Sequence, residues 1–503
     1  MIIKKTFTIE TRLNQKQNQE IIDYAREFNV LYGKVLRFAW HRYNNGGHFD
    51  RKKSEFNTLL QKRFSINKRM ANSVICEVQG TYNALRELKW YQFSQLKTKV
   101  RKLYKKREKL EKKVFVLKKK VKNNQLSPSS LRYYKRQKAN IFFTNQKINR
   151  LKQKIGNVLK ELQNKDLGIC FGSKKMFCAQ YHLKENQLTN HKVWLEKFRR
   201  QRDNRSLYIG SKTELRGNQL LQLTPIVNSG KGNSFLIQLR KNTKNKQYVR
   251  GICNFQYMSG RLAKLILNQE HGISYRIIFR ENKCYLQAMI VLEQETKDCK
   301  TRKNYGTIGL DYNDGFVELA ETNETGNLIK LKHIDLKHHG TGNKAKSEIR
   351  EKVSTIVDYA ISVGKDIIIE DLNFKETKAE TEKAKSENGK KYNKMIHAFD
   401  YSRYKKSFET CCFRRNVNLV KVNPAYTSKI AKEKYCKKKK LVIHQGASFV
   451  IARKGQGFID KYIKKIKKKR GESRKKKINL YKTKKQILQS REIELPRDCQ
   501  PRT

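Results

Sequence analysis

The sequence lacks features that would place it in several common classes of protein. Its ten cysteines include no C-x-x-C pair, and only Cys411 and Cys412 are adjacent. This spacing fits neither a zinc framework nor a secreted disulfide lattice, so we expect reduced, mostly buried thiols in a cytosolic protein. No apolar run approaches the ~18 to 20 residues of a membrane span, and the first residues form no signal-peptide core. These absences predict a soluble, cytoplasmic chain without a membrane partner.

Acidic residues are also scarce. Lys and Arg number 114 against 45 Asp and Glu, so the formal net charge is +69. A chain of this charge repels itself unless a polyanion neutralises it. The composition therefore predicts extensive contact with nucleic acid, weakening as salt rises. A ribosome-like RNA-binding protein without chemistry fits the same composition. The 503 residues, 37% of them hydrophobic, suffice for two or three domains.

Helical periodicity dominates the first third of the chain. Apolar residues recur at helical spacing over Leu13 to Tyr43 and Phe56 to Leu88, and a Lys-rich stretch from Leu96 to about Leu162 is broken near Ser127-Pro-Ser-Ser130. This basic hairpin is either a coiled-coil arm with solvated charges or a surface for nucleic acid. We favour the second, because its cations far outnumber the acids that could pair with them.

From about Gly168 the pattern changes to short alternating runs separated by turn residues. Such spacing predicts an antiparallel barrel or sandwich. The first segment, Ile2 to Glu10, alternates in the same way. At the other end of the chain, the segment from Asp460 to about Glu492 is Lys-rich and nearly devoid of apolar core residues. It predicts a basic tail that is disordered or is ordered by RNA.

Two buried strands each deliver one carboxylate to a strand end. The first segment runs from Tyr305 to Asn313 and carries Asp311 near its end. The second runs from Asp366 to Leu372 and carries Glu370 near its end. Like charges at close range are unfavourable unless a cation lies between them, which indicates a site for a divalent metal. The alternatives are a turn residue for Asp311, ahead of Asn313-Asp314-Gly315, and a solvent-facing strand end for Glu370.

A helix with a small-residue face, His444 to Gly455, follows these strands. Two carboxylates at strand ends, followed by a polar residue at the start of a helix, form the layout of a two-metal nuclease site. For His444 the alternative is a first polar residue of the helix that only satisfies backbone groups. The predicted catalytic and metal-binding residues are Asp311, Glu370 and His444, with Mg²⁺ or Mn²⁺ as the cofactor.

These segments resemble the split RuvC domain of transposon-encoded TnpB proteins and compact type V CRISPR effectors. Gly309 to Asn313 resembles motif I, Ile368 to Leu372 motif II and His444 to Gly455 motif III, and Val422 to Ser428 is similar to the segment before motif III. Each motif alone is weak, but four of them in family order, at separations of 370 − 311 = 59 and 444 − 370 = 74, make a chance resemblance improbable. The resemblance covers about residues 300 to 458 firmly and the earlier residues loosely.

The resemblance implies α/β, all-α and all-β parts: an RNase H-like RuvC domain, a helical recognition lobe and an N-terminal β-barrel wedge. Guide RNA and target DNA would be the partners, in a prokaryotic, nucleoid-associated protein. The predicted boundaries are a first wedge strand at 1–12, the helical lobe at 13–166, the wedge barrel at 167–300, the RuvC-like domain at 301–458 with a lid at about 375–396, and the basic tail at 459–503.

Two departures from the family limit what it implies. Family members carry two C-x-x-C pairs before motif III, whereas 429–443 contains only Cys436, so we expect no zinc. The third ligand of the family is Asp, and His444 stands at its position. The next acid, Asp460, lies sixteen residues on, ~24 Å along a continuous helix. A nitrogen ligand predicts weaker Mg²⁺ binding and a preference for Mn²⁺.

The predicted activity is therefore RNA-guided DNA endonuclease, in which base pairing selects the target and the protein recognises a short flanking duplex motif. The alternative is a guided DNA binder with weak or absent cleavage that acts as a repressor or silencing effector. His444 is the main support for that alternative. A purely structural RNA-binding protein would explain the charge but not the two strand-end carboxylates.

Overall fold

The computed structural model describes residues 2–44, 53–123, 127–164, 166–226, 234–243, 247–281, 283–295, 299–313, 315–337, 342–372 and 401–460. They divide into two compact units, residues 4–293 and the described residues from 294 onward together with 2–3. The predicted lid lies wholly outside the described residues, as does the predicted tail after Asp460. No described helix is long and apolar enough to cross a membrane.

Long helices make up much of the first unit. After β1 (Ile2–Arg12) come α1 (Gln19–Asn44), α2 (Lys53–Phe64), α3 (Lys68–Lys122) and α4 (Pro128–Gln163). The separate helices predicted to either side of residues 89–95 are one helix, α3, because no proline interrupts that stretch. As predicted, the hairpin breaks at Ser127, whose hydroxyl accepts from the backbone N–H of Ser130 and caps α4.

The rest of this unit consists of short helices and two sheets. The helices are α5 (Lys174–Cys178), α6 (His191–Arg202) and α7 (Ser259–Asn268), with 3-10 turns at Ala179–Tyr181, Lys184–Asn186 and Leu215–Gly217. The strands are β2 (Arg205–Tyr208), β3 (Leu221–Pro225), β4 (Ser234–Arg240), β5 (Tyr248–Asn254), β6 (Ser274–Arg280) and β7 (Lys283–Glu295).

These strands form a four-stranded sheet in the order β1-β7-β6-β2 and a three-stranded sheet in the order β3-β4-β5. The first strand therefore joins the later ones, as its alternation predicts. Among the described residues the strands pair as two sheets and not as one closed barrel. One core joins helices to both sheets, with Ile21, Phe235 and Tyr275 among its fully buried members. The separation of a helical lobe from a wedge inside this unit stays a prediction.

The second unit is a mixed α/β structure. After a 3-10 turn (Lys303–Tyr305), its strands are β8 (Thr307–Tyr312), β9 (Phe316–Thr322), β10 (Leu328–Asp335), β11 (Asp366–Glu370) and β12 (Leu419–Val422). Its helices are α8 (Asn343–Val363), α9 (Tyr401–Arg415), α10 (Thr427–Ile430), which continues through a π-helical turn (Ala431–Cys436) into α11 (Lys437–Lys439), and α12 (Ile443–Gln456).

The sheet of this unit has the order β10-β9-β8-β11-β12. The first three strands form the predicted antiparallel meander, and β8, β11 and β12 run parallel. Because parallel neighbours need a crossover, α8 connects β10 to β11 across the sheet. Ile308 and Leu310 of β8 pack with α8 and α9 on one face. Their neighbours in sequence, Gly309 and Asp311, therefore point to the opposite face.

Helix α12 covers that opposite face at very short range. A Cβ atom added to Gly309 would lie 2.2 Å from the carbonyl oxygen of Ser448 and 2.4 Å from the backbone nitrogen of Ala452. Only glycine lets the backbones of β8 and α12 come this close. The glycine in motif I thus brings the first turn of α12 to the end of the strand that carries Asp311.

Candidate metal centre

Asp311 lies at the end of β8, with its side chain 14% exposed. The amide nitrogen of Asn313 donates a hydrogen bond to Oδ2 of Asp311 over 3.0 Å. Nδ1 of His444 lies 3.1 Å from the same oxygen. The carboxylate is therefore held from two sides, by a residue of its own strand end and by a residue of α12.

Glu370 lies beside Asp311 at the edge of the sheet. Leu310 pairs with Ile369 in parallel register, so the next residues, Asp311 and Glu370, are neighbours on the face covered by α12. The hydroxyl of Thr427 donates to Oε1 of Glu370 over 2.7 Å, and the hydroxyl of Tyr401 donates to its backbone oxygen. Hydrogen bonds thus hold both the side chain and the backbone carbonyl of Glu370 in place.

The pKa of Glu370 reflects both its burial and the carboxylate of Asp311 nearby. Burial raises the pKa of Glu370, the charge of Asp311 raises it further, and the Thr427 hydrogen bond and the charge of Lys454 act in the opposite direction. The side chain gives up hydration and gains a like-charged neighbour, and both effects favour its protonated form. A divalent cation at this point would reverse the second effect.

His444 occupies the first turn of α12, where its side chain is 49% exposed. Its ring meets the ring of Phe316 edge to face, with the centroids 5.3 Å apart. If Nδ1 carries the proton and donates to Asp311, the lone pair of Nε2 remains available. Histidines that bind metals commonly donate their other ring N–H to a carboxylate in this way.

The three residues predicted from the sequence thus meet at one edge of the sheet, Asp311 and His444 in direct contact and Glu370 beside Asp311. Within the residues that the structure describes, however, no group of three or more His, Cys, Asp or Glu side chains is arranged to hold an ion. Oε1 of Glu370 is turned to Thr427, and Oδ2 of Asp311 is turned to Asn313 and His444. Which of them bind a metal stays a prediction.

The donor set nevertheless fits a divalent cation. Two carboxylates and one imidazole are ligands that Mn²⁺ accepts readily and Mg²⁺ accepts less well, because Mg²⁺ prefers oxygen. Because Asp311 and Glu370 end adjacent parallel strands on one face, the two carboxylates lie close enough to repel each other. A cation between them would remove this repulsion.

Two neighbouring acids have other partners. Asp371, the residue after Glu370, pairs with Lys405 of α9 on the opposite face. Asp460 accepts hydrogen bonds from Arg453 and Tyr435, and its carboxylate is 7% exposed. The chain between His444 and Asp460 is not one continuous helix, since α12 ends at Gln456. Asp460 is bound elsewhere and does not take the place of His444.

Two residues that orient the carboxylates are not predicted as site residues from the sequence. In the sequence Asn313 is part of a turn, and Thr427 belongs to the segment before motif III. Asn313 follows Asp311 by two residues, which is a usable sequence signal for a strand-end hydrogen bond. Thr427 lies 57 residues from Glu370, and only the fold brings their side chains together.

No protein-family model matches the sequence, and no curated protein matches it. Among solved structures, the chain is similar to Cas12f1 in its complex with sgRNA and target DNA, with a TM-score of 0.36 and 14% identity over 90% of this chain and 99% of that one.

Two further similar structures are RuvC from T. thermophilus with a Holliday junction and a Cas12i variant with crRNA and double-stranded DNA. The first has a TM-score of 0.22 and 11% identity over 29% of this chain and 89% of that chain. The second has a TM-score of 0.30 and 11% identity over 75% of this chain and 60% of that chain. These structural neighbours are Cas12 effectors and RuvC, the class that the motifs resemble.

Proposed function

We propose that the chain is an RNA-guided DNA endonuclease with an RNase H-like, metal-dependent site in its second unit. One observation carries the proposal: Asp311 and Glu370 end adjacent parallel strands on one face, and His444 contacts Asp311. Like charges at close range are costly when they are half-buried, and a stable fold retains them beside each other where a cation or a reaction needs them.

In this proposal the carboxylates of Asp311 and Glu370 and Nε2 of His444 hold the metal, and Asn313 and Thr427 orient the carboxylates. The metal, when bound, supplies an activated water and stabilises the oxygens of the phosphodiester. Residues 13–166 and 167–300 are the proposed recognition lobe and wedge for guide RNA and the flanking duplex. The net charge of +69 supports this assignment, since a polyanion must balance it.

A second candidate function is guided DNA binding without efficient cleavage. The contact between His444 and Asp311 supports it, because a nitrogen donor used as the third ligand would bind Mg²⁺ more weakly than a carboxylate. The same fold and the same nucleic acids would serve this function. Cleavage measured with Mg²⁺ and with Mn²⁺ separates the two candidates.

The test begins with RNA that copurifies with the protein. We expect a small RNA of defined sequence, and the complex should bind and nick plasmid DNA that carries the matching target. Asp311→Ala and Glu370→Ala should abolish nicking and leave DNA binding in a gel-shift assay nearly unchanged, because metal ligands act on chemistry and phosphate contacts hold the DNA.

Asp371→Ala is the matched control, because it removes a carboxylate next to Glu370 that faces the other side of the sheet. It should nick DNA at the parent rate. Cleavage that survives Asp311→Ala would disprove the site. Copurified RNA of random sequence would disprove guided recognition, and a guided parent complex that cuts in neither metal would leave the binding function.

A further inference from the structure

Glu318 of β9 lies directly across from Asp311. The antiparallel register pairs Asp311 with Glu318, and directly opposite residues put their side chains on the same face, with Cβ atoms ~4.5 to 5.5 Å apart. Glu318 therefore shares with Asp311 the face that α12 covers. The residue is 4% exposed, and like charges in opposite positions destabilise a sheet.

The two carboxylate oxygens of Glu318 differ in their surroundings. Oε1 lies 2.6 Å from Nδ1 of His333 on β10, and the other ring nitrogen of His333 lies 3.1 Å from Asp335. Oε2 is buried and has no hydrogen-bond partner among the described residues. An unsatisfied buried oxygen on a charged group costs more than the ~1 to 3 kcal/mol of a neutral one and calls for an explanation.

This oxygen belongs to the edge of the sheet where the candidate metal centre lies. His333 is on the β10 side of Glu318 and Asp311 is on the β8 side, so His333 takes the oxygen turned away from β8. The ring of Phe316 contacts His333 and His444, with centroids 5.1 and 5.3 Å away. His333, which holds Glu318, and His444, which contacts Asp311, therefore border the same aromatic ring.

We propose that Glu318 is the third carboxylate ligand of the metal centre, and that a divalent cation is held between Asp311 and Oε2 of Glu318. This inference rests on the metal site of the proposed function. It accounts for the histidine at position 444, because the third carboxylate of the site then comes from Glu318 on β9 and is not needed on α12. His333 is a positioning residue, which holds Oε1 and so directs Oε2 to the cation.

Mn²⁺ alone is the probe for this site. The full chain is freed of nucleic acid with nuclease and high salt and titrated with Mn²⁺, and free Mn²⁺ is measured by electron paramagnetic resonance. Glu318→Gln should weaken the binding of one Mn²⁺ by at least about tenfold, as the loss of one ligand requires. Glu324→Gln removes the same charge from the exposed turn after β9 and should bind Mn²⁺ like the parent.

Thermal unfolding without metal distinguishes a ligand from a structural residue. Without metal, Oε2 of Glu318 has no hydrogen-bond partner to lose, and the amide oxygen of Glu318→Gln can still contact Nδ1 of His333. At a pH where His333 is neutral, the variant should therefore unfold close to the parent temperature. If Glu318→Gln unfolds earlier and binds Mn²⁺ as the parent does, Glu318 is a structural partner of His333 and the inference fails. Should Glu318→Gln not fold, Glu318→Asp keeps the charge but draws the carboxylate back, and parent-like Mn²⁺ binding by that variant overturns the inference.

The same titration separates this inference from the proposed function. A chain that never cuts DNA but loses Mn²⁺ binding in Glu318→Gln supports the ligand and disproves the nuclease. A chain that cuts DNA and whose Glu318→Gln variant both cuts and binds Mn²⁺ at parent levels supports the nuclease and disproves the ligand. A parent chain that binds no Mn²⁺ at all disproves both.

Discussion

Gly309 offers a sharp test of how the centre is assembled, because its missing side chain determines the distance between β8 and α12. The Cβ atom of Gly309→Ala would lie 2.2 Å from the Ser448 carbonyl oxygen, and ordinary contact begins at 3.4 Å. The difference, 3.4 − 2.2 = 1.2 Å, is the shift needed between two backbones. No side-chain rotation relieves the clash, since the contacted atoms belong to the backbone of α12.

Overpacking of this kind costs about 1 to 3 kcal/mol, which for a unit of this size lowers the unfolding temperature by about 2 to 12 °C. Cleavage should fall further than stability explains. His444 is carried by α12 and Asp311 by β8, so the shift separates two members of the centre, and a displacement of about 1 Å can cost about 10²-fold in rate. DNA binding should change little.

The assay combines thermal unfolding, plasmid nicking and gel shift on the same preparations. Gly80→Ala is the control, because Gly80 is an exposed position of α3 with no atom within 4 Å of an added Cβ. It should stabilise its helix by about 1 kcal/mol and leave cleavage unchanged. If Gly309→Ala unfolds and cuts like the parent, the close packing of α12 on β8 is wrong, and so is its role in the site.

Four further outcomes are expected. Glu370→Gln should raise the unfolding temperature at pH 7.5 in chelator, because burial and Asp311 raise the pKa of Glu370, so its ionisation destabilises the fold. The gain should shrink as the pH falls and vanish near about pH 3, well below the pKa of an unfolded glutamate, where the side chain is protonated in both states. An equal gain there would contradict the reasoning. Thr427→Val removes the hydrogen bond to Glu370 and should reduce cleavage by about 10- to 100-fold, whereas parent activity would show that this bond is dispensable. His444→Ala should abolish cutting. His444→Asp should still cut DNA, with its preference shifted from Mn²⁺ to Mg²⁺. A parent-like rate for His444→Ala in both metals would exclude a ligand role. Metal analysis after extensive dialysis should find no stoichiometric zinc, and one zinc per chain would mean that distant cysteines converge.

The sequence alone determined the kinds of elements and the positions of the strand-end acids. Apolar runs predict β8 and β11, since a strand buried on both faces needs apolar residues throughout except at its ends. Periodicity predicts α8 and most of α1, because an amphipathic helix repeats its apolar residues every 3.6 positions. Asp311 and Glu370 were thus identifiable from their places at the ends of such runs.

Only the tertiary structure decided which side chains meet. The turn between β8 and β9 sets the register that places Glu318 opposite Asp311, but only the packing of α12 decides which face of that pair is covered. The contact of Thr427 with Glu370 and the pairing of Asp460 with Arg453 likewise join residues through packing. A sequence records what each residue can bind, whereas the close approach of α12 to Gly309 decides which partner lies within reach, because hydrogen bonds and metal bonds act only over about 2 to 3 Å.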